Sequence, residues 1–244
     1  MVFTEREKER HTASVRDGTL LIEETDTRKW YESFSLFSFG LPRITVYLPT
    51  NAYAALTIEE STGDIVMPAD FSFESVDISA DTGDVDWSAS AGSVRIGLST
   101  GDIRLHEISA EELTLSVSTG RVDVTSVSCA GDVSVTVSTG KTAMSDVACK
   151  SLVSTGSTGD ILLENVIAAG SISLERSTGD VSMERCDAEE LRIVTDTGDV
   201  SGSLLSDKVF VVRSDTGDID VPKTTNGGRC EITTDTGDIT IIVS

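Results

Sequence analysis

Apolar and polar residues alternate along most of this chain, and the alternation restarts about every twenty residues. Each restart falls on a Ser/Asp-Thr-Gly tripeptide. The glycines at the ten restarts are Gly63, Gly83, Gly101, Gly120, Gly140, Gly159, Gly179, Gly198, Gly217 and Gly237, at steps of 20, 18, 19, 20, 19, 20, 19, 19 and 20 residues. Two residues after the glycine stand Ile65, Val85, Ile103, Val122, Thr142, Ile161, Val181, Val200, Ile219 and Ile239. Four residues after it stand Met67, Trp87, Leu105, Val124, Met144, Leu163, Met183, Gly202, Val221 and Ile241. The residue between these columns is mostly polar. A period of two marks a half-buried strand.

A second alternating run precedes each glycine, as in Leu113, Leu115 and Val117, then Val133, Val135 and Val137, then Leu191 and Ile193. These runs are rich in the β-branched residues that strands favour. Seven residues after the glycine comes another apolar column, Ile108, Val127, Val147, Val166, Cys186 and Leu205, followed by small residues such as Ala110, Ala168 and Ala188. Each repeat therefore reads as strand, Thr-Gly-Asp corner, strand, second corner. Two short strands cannot bury an apolar face alone, but stacking equivalent strands in parallel turns every column into an inward ladder. The expected fold is all-β, a parallel β-solenoid (β-helix) of about ten coils of 18–20 residues from residue 56 to 244, roughly 45–50 Å long at the spacing of paired strands. Antiparallel hairpins are the competing arrangement, though they favour tight turns such as Asn-Gly. Glycine at every corner points to backbone with positive φ, and the flanking Thr and Asp can bond turn amides.

Residues 1–55 differ. Trp30, Tyr31, Phe34, Phe37, Phe39, Tyr47 and Tyr53 make this stretch aromatic. A solenoid needs its end coils covered, so strands around Thr19–Glu23 and Ile44–Leu48, with the aromatic loop between them, are expected to form an N-terminal cap continuous with the solenoid as one structural domain. At the other end Ile239–Val243 reads as a last strand with nothing after it. That bare edge predicts end-to-end self-association, altered by removing Ile239–Ser244.

Composition narrows the partners. Forty-one acidic and 19 basic residues give a net charge of −22. This argues against nucleic acid, whose binding rests on basic contacts to phosphate, and against adsorption to anionic lipid. No apolar run approaches a membrane span and no signal peptide is recognisable, so no direct membrane insertion by this chain is expected. The opening residues run straight into strand-like sequence, which suggests that further residues precede them in the natural protein.

The chemistry-bearing residues mostly fall on the repeat. Asp-Thr-Gly at Asp81, Asp196, Asp215 and Asp235 resembles the aspartic protease signature, but that mechanism needs two carboxylates sharing a proton, and here the motif is the repeat corner. The residue after the glycine forms a column, Asp64, Asp84, Asp102, Arg121, Lys141, Asp160, Asp180, Asp199, Asp218 and Asp238. Stacked like charges repel, so Arg121 with Asp102 and Lys141 with Asp160 are expected as cross-coil ion pairs. Asp196, Asp199, Asp215, Asp218, Asp235 and Asp238 gather at the C-terminal end. Clustered oxygens are a candidate Ca²⁺ site, although the nine-residue glycine-rich calcium repeat is absent; turn capping is the simpler reading. Cys186 and Cys230 fall in inward columns, as buried thiols do. Cys129 and Cys149 should stack on neighbouring coils, within reach of a disulfide. His11 and His106 are the only histidines and neither has a paired nucleophile, so no catalytic site and no cofactor is expected. The threonine column lies at a corner and does not form the paired rows of an ice-binding face.

The columns resemble the bacterial toast-rack family of β-repeat domains, a domain of unknown function also described as an adhesin repeat. Ile44-Thr45-Val46-Tyr47-Leu48-Pro49, Leu56-Thr57-Ile58 leading to Ser61-Thr62-Gly63-Asp64-Ile65, and the repeated Ser-Thr-Gly-Asp-Val/Ile carry the resemblance. It implies a non-enzymatic, extracytoplasmic solenoid, anchored to the cell surface or envelope through a segment outside this chain. It carries over no functional residue. Two functions follow as expectations, an adhesive or scaffolding module with a protein or glycan ligand, and an envelope-stress sensor with a membrane partner.

Overall fold

The computed structural model describes residues 2–4, 9–26 and 43–243. Trp30, Tyr31, Phe34, Phe37 and Phe39 of the expected aromatic cap lie outside the described residues. The chain divides into two compact units, Met1–Thr50 and Asn51–Ser244. The first holds β1 (Val2–Thr4), β2 (Glu9–Arg16), β3 (Thr19–Asp26) and β4 (Arg43–Thr45). β1 runs antiparallel to β4, and β2 to β3. Asp17 and Gly18, at φ 50° and 79°, close the β2–β3 hairpin, since two consecutive positive φ values make the turn whose twist suits a hairpin. The expected strand over Ile44–Leu48 is shorter, ending at Thr45.

The second unit is the solenoid, and its first strand starts at Ala52. Strands come in pairs about each corner glycine: β5 (Ala52–Thr62) and β6 (Ile65–Met67), β7 (Ser72–Thr82) and β8 (Val85–Trp87), β9 (Ser90–Thr100) and β10 (Ile103–His106), β11 (Ser109–Thr119) and β12 (Val122–Cys129), β13 (Asp132–Thr139) and β14 (Thr142–Cys149). The series continues with β15 (Ser151–Thr158) and β16 (Ile161–Ala168), β17 (Ser171–Thr178) and β18 (Val181–Cys186), β19 (Glu190–Thr197) and β20 (Val200–Leu204), β21 (Lys208–Thr216) and β22 (Ile219–Asp220), β23 (Gly228–Thr236) and β24 (Ile239–Val243). Every pairing within this unit is parallel, with column aligned on column, as in Leu113↔Val133, Leu115↔Val135 and Val117↔Val137. The hairpin alternative is thereby excluded. Among the described residues no helix is long and apolar enough to cross a membrane.

Alternation places one side chain in two inside. Val85, Ile103, Val122, Ile161, Val181, Val200 and Ile239 are all fully buried, each contributing about 1.5–3 kcal/mol through burial of apolar area. The early coils carry aromatic rings. Tyr53, Phe73 and Trp87 step along the core at centroid distances of 5.9 and 5.8 Å, and Trp87 Nε1 donates to the Ala89 carbonyl at 2.6 Å.

The second corner has a feature invisible to a search for glycine. Glu107, Ser126, Asp146, Asn165 and Arg185, each six residues after a corner glycine, have φ between 51° and 55°. They form a column of left-handed residues that swings the chain so that Ile108, Val127, Val147, Val166 and Cys186 point inward. Asp146 and Asn165 suit this conformation and bond one another, Asn165 Nδ2 donating to Asp146 Oδ1 at 2.7 Å. Ser126 bears the left-handed penalty of about 1–2 kcal/mol. Ser126→Gly is therefore expected to raise stability by up to about 1 kcal/mol, after glycine's own entropic cost. Asn165→Gly should give no gain, because it forfeits the bond to Asp146. Urea unfolding of the two variants checks this.

The coils do not stack in sequence order throughout. β19 pairs with β23, and β23 with β21; β20 pairs with β24, and β24 with β22. The last coil of the sequence lies between the eighth coil and the ninth, and β21–β22 form the end. The corner bonds agree. Gly198 N–H donates to Thr236 O at 2.9 Å, and Gly237 N–H to Thr216 O at 2.9 Å. This corrects the expectation of a bare last strand. Ile239 and Ile241 are buried, whereas Ile219 is 46% exposed. The chain skips a coil over Leu205–Asp207. Leu204, fully buried, takes the apolar position beside Cys186. Leu205, placed in that column from its spacing, is exposed, because the second corner here is one residue shorter.

Candidate functional site

The Asp column is a capping ladder. The amide of the residue after each glycine donates to the carboxylate of its neighbour in the stack: Asp84 N to Asp64 Oδ1 at 2.9 Å, Asp102 N to Asp84 Oδ1 at 3.0 Å, and Arg121 N to Asp102 Oδ1 at 3.0 Å. After the Arg121 and Lys141 interruption it resumes, Asp180 on Asp160, Asp199 on Asp180, Asp238 on Asp199 and Asp218 on Asp238. Bonds from the Asp102 amide, and then from the Arg104 guanidinium, hold the Asp84 carboxyl below its usual range. Capping at each step offsets the mutual repulsion of stacked carboxylates.

The expected ion pairs form differently. Arg121 approaches Asp102 through its backbone, and its Nε meets Asp123 at 3.0 Å. Lys141 and Asp160 make no ion pair. The compensating cation is Arg104, at 2.9 Å from Asp84 and 2.7 Å from Asp102. The calcium candidates fall in two exposed columns. Asp199, Asp238 and Asp218 belong to the capping ladder, while Asp196, Asp235 and Asp215 lie on the other side of the corner, with Asp215 accepting from Arg213 at 3.0 Å. Among the described residues no three His, Cys, Asp or Glu side chains are gathered so as to hold a metal ion.

The outward flank of β10, β12, β14, β16 and β18 holds an open groove of about 470 Å³. Its floor is low because Ala143, Ser145 and Thr125 project there. Arg104 and His106 border it on one side, Glu164 and Glu184 on the other. Ser145 Oγ donates to Thr125 Oγ1 at 3.3 Å, and Arg185 clasps Glu164 and Glu184 at 2.9 Å each. Hydroxyls, carboxylates, a guanidinium and an imidazole thus face one flat strip that can accept a polar, extended ligand.

Two overlapping stretches, residues 2–138 and 129–244, match the family profile described as Toastrack DUF4097. The chain belongs to the Toastrack family. No curated protein and no solved structure gives a significant match. The Toastrack resemblance drawn from the Thr-Gly-Asp columns is thus shown, together with the solenoid.

Three features of this Toastrack chain escaped sequence reasoning. The first is a polar inward column three residues before the glycine, where Arg176 Nε, Thr195 Oγ1, Thr234 Oγ1 and Ser214 Oγ each donate to the corner glycine carbonyl of the preceding coil in the stack, at 3.2, 3.3, 3.2 and 2.9 Å. The second is Arg176 itself, 1% exposed. Its Nη2 donates to Thr142 Oγ1 at 2.8 Å, and Gly156 leaves room for its guanidinium. Thr142, the lone polar member of its column, was the available signal. The third is Lys208, 2% exposed, whose Nζ lies 2.6 Å from Asp187 and 2.6 Å from Ser206 where the chain skips a coil. Burial opposes ionisation of Asp187, but the bonds from Lys208 and Ser206 hold its carboxyl below the usual range.

All four cysteines are buried and free, including the stacked Cys129 and Cys149. Burial pushes the Cys149 thiol up to about 11 and Cys230 to about 12. A thiol whose folded value is raised stabilises the fold fully below its unfolded value, and that contribution is lost as pH rises through the folded value. Stability should therefore fall between the ordinary thiol range, about 8.5, and about 11. Cys149→Ser should flatten that part of a stability–pH curve measured by urea unfolding.

Proposed function

We propose that this Toastrack chain is a non-catalytic, extracytoplasmic module of the bacterial envelope that binds a protein or glycan along its flank, as an adhesin or scaffold. The groove over Thr125, Ala143 and Ser145 carries this reading. It sets Arg104 and His106 opposite Glu164 and Glu184, and its hydroxyls and carboxylates suit the donors and acceptors of a sugar chain or an extended peptide.

Co-sedimentation of the purified chain with mucin, extracellular-matrix proteins and the host's own envelope fractions tests the reading. Saturable binding is expected, weakened at least about tenfold by Ala143→Trp, which fills the groove, with an unchanged melting temperature. Binding that ignores Ala143→Trp would refute the groove. Binding confined to the host's own envelope would turn the function toward envelope-stress sensing with a membrane partner.

A further inference from the structure

Coil stacking follows a fixed grammar, and the two end coils of the solenoid each display one unanswered half of it. Within the stack, the corner glycine N–H donates to a threonine carbonyl of the following coil, as Gly63 does to Thr82 O at 2.9 Å. Two residues on, Ile65 N–H donates to Asp84 O at 2.8 Å. In return the Asp84 amide donates to Asp64 Oδ1 at 2.9 Å. At the β21–β22 end, Gly217 N–H, Ile219 N–H and Asp218 Oδ1 have no following coil to bond among the described residues. At the β5–β6 end, Thr62 O, Asp64 O and Asp64 N–H are the complementary set, and among the described residues β5 pairs with β7 alone.

The side chains match as well. The repeat register sets Phe210 over Leu56, Val212 over Ile58, Ile219 over Ile65 and Val221 over Met67. Seven of these eight are half-buried and Ile219 is exposed, whereas in the neighbouring coil Val76, Ile78, Val85 and Trp87 are at most 2% exposed. The same register brings Arg213, 73% exposed in its side chain, onto Glu59, the one opposite-charge pair between the outward faces of β21 and β5. A two-fold arrangement would instead set the Gly217 and Ile219 donors against themselves.

We infer that a second copy of this chain docks head to tail, its β5–β6 coil continuing the stack from β21–β22. Such a contact is heterologous, so it extends into a filament unless the rotation closes it. Apolar columns, backbone donors and one ion pair then meet partners of the same kind they meet inside the solenoid.

Analytical ultracentrifugation of the full chain across a range of concentrations at physiological salt tests this first. The mass should rise from monomer through successive oligomers. Ile219→Pro removes an outward N–H that no described residue uses, and should weaken association about tenfold or more. The geometry is tested by cross-linking, with Arg213→Cys and Glu59→Cys made in separate chains. Disulfide-linked dimers should appear when the two variants are mixed and in neither alone. Dimers of the Arg213→Cys chain by itself would replace the proposal with two-fold pairing. Monomers at every concentration with no cross-link would overturn it, and assign the end coils to the chain's own leading residues or to a different protein. Association unaffected by Ile219→Pro would overturn it as well. None of these readouts involves the flank groove, so they stand or fall apart from the ligand-binding reading.

Discussion

Gly140→Ala will cost more than about 4 kcal/mol and leave much of the chain unfolded, while Gly97→Ala will be neutral or stabilising by up to about 1 kcal/mol. Both are glycines flanked by strand, and only their place in the coil separates them. Gly140 is a corner with φ of 137°, and a Cβ built on it would lie 1.7 Å from the Gly120 carbonyl oxygen. That atom is backbone, held by its own ladder, so neither partner can retreat without parting two coils. Gly97 has no positive φ, and the nearest atom to its added Cβ is the Ile78 carbonyl oxygen at 4.0 Å. Alanine there removes freedom from the unfolded chain at no steric expense. Urea denaturation of the two variants decides the matter. Similar losses at both sites would mean that the corner's close backbone approach does not control stability.

The second large effect tests the order of the coils. Ile239→Ala should cost about 2–5 kcal/mol, the usual loss for a truncated buried isoleucine, and Ile219→Ala less than about 1 kcal/mol. The two residues occupy the same column, two positions after their glycines, but Ile239 is 0% exposed and Ile219 46%. Stacking in sequence order would reverse the two costs, because Ile219 would then be enclosed and Ile239 terminal. Thermal or urea unfolding of the two alanine variants therefore reports the topology without a new structure. A larger loss at position 219 would sink the inserted coil.

Most of the architecture was legible because it is repetitive. Ten Thr-Gly corners and the apolar positions two and four residues beyond them identify strands, faces and parallel stacking together. What repetition cannot encode is order. Every coil offers the same ladder to its neighbours, so Val200 accepts Ile239 as readily as it would Ile219. The only trace of the exchange was local, in the shortened corner that moves Leu204 into the place expected for Leu205, and in the Lys208–Asp187 contact that fastens the skipping segment. The left-handed column stayed hidden because Glu107, Ser126 and Arg185 do not advertise positive φ. At the corner ladder, turn capping by aspartate was readable, whereas Arg104 was not, since its partners depend on which outward side chains neighbouring coils bring together. The flank groove had no sequence signature at all. It arises where small residues, Ala143 and Ser145, happen to stack beside larger ones.

The inserted coil also bears on how the chain resists force. In a solenoid stacked in sequence order, tension on the C-terminus peels the final coil from an open edge, one hydrogen bond at a time. Here β24 is laced to β20 on one side and β22 on the other. A pull on β24 first frees Ile241, Ile242 and Val243 from β20 alone, and then meets Ile239 and Thr240, where two ladders must break together. A tether attached at that terminus would be held by a clasp, and the solenoid should bear load there better than its single strands suggest.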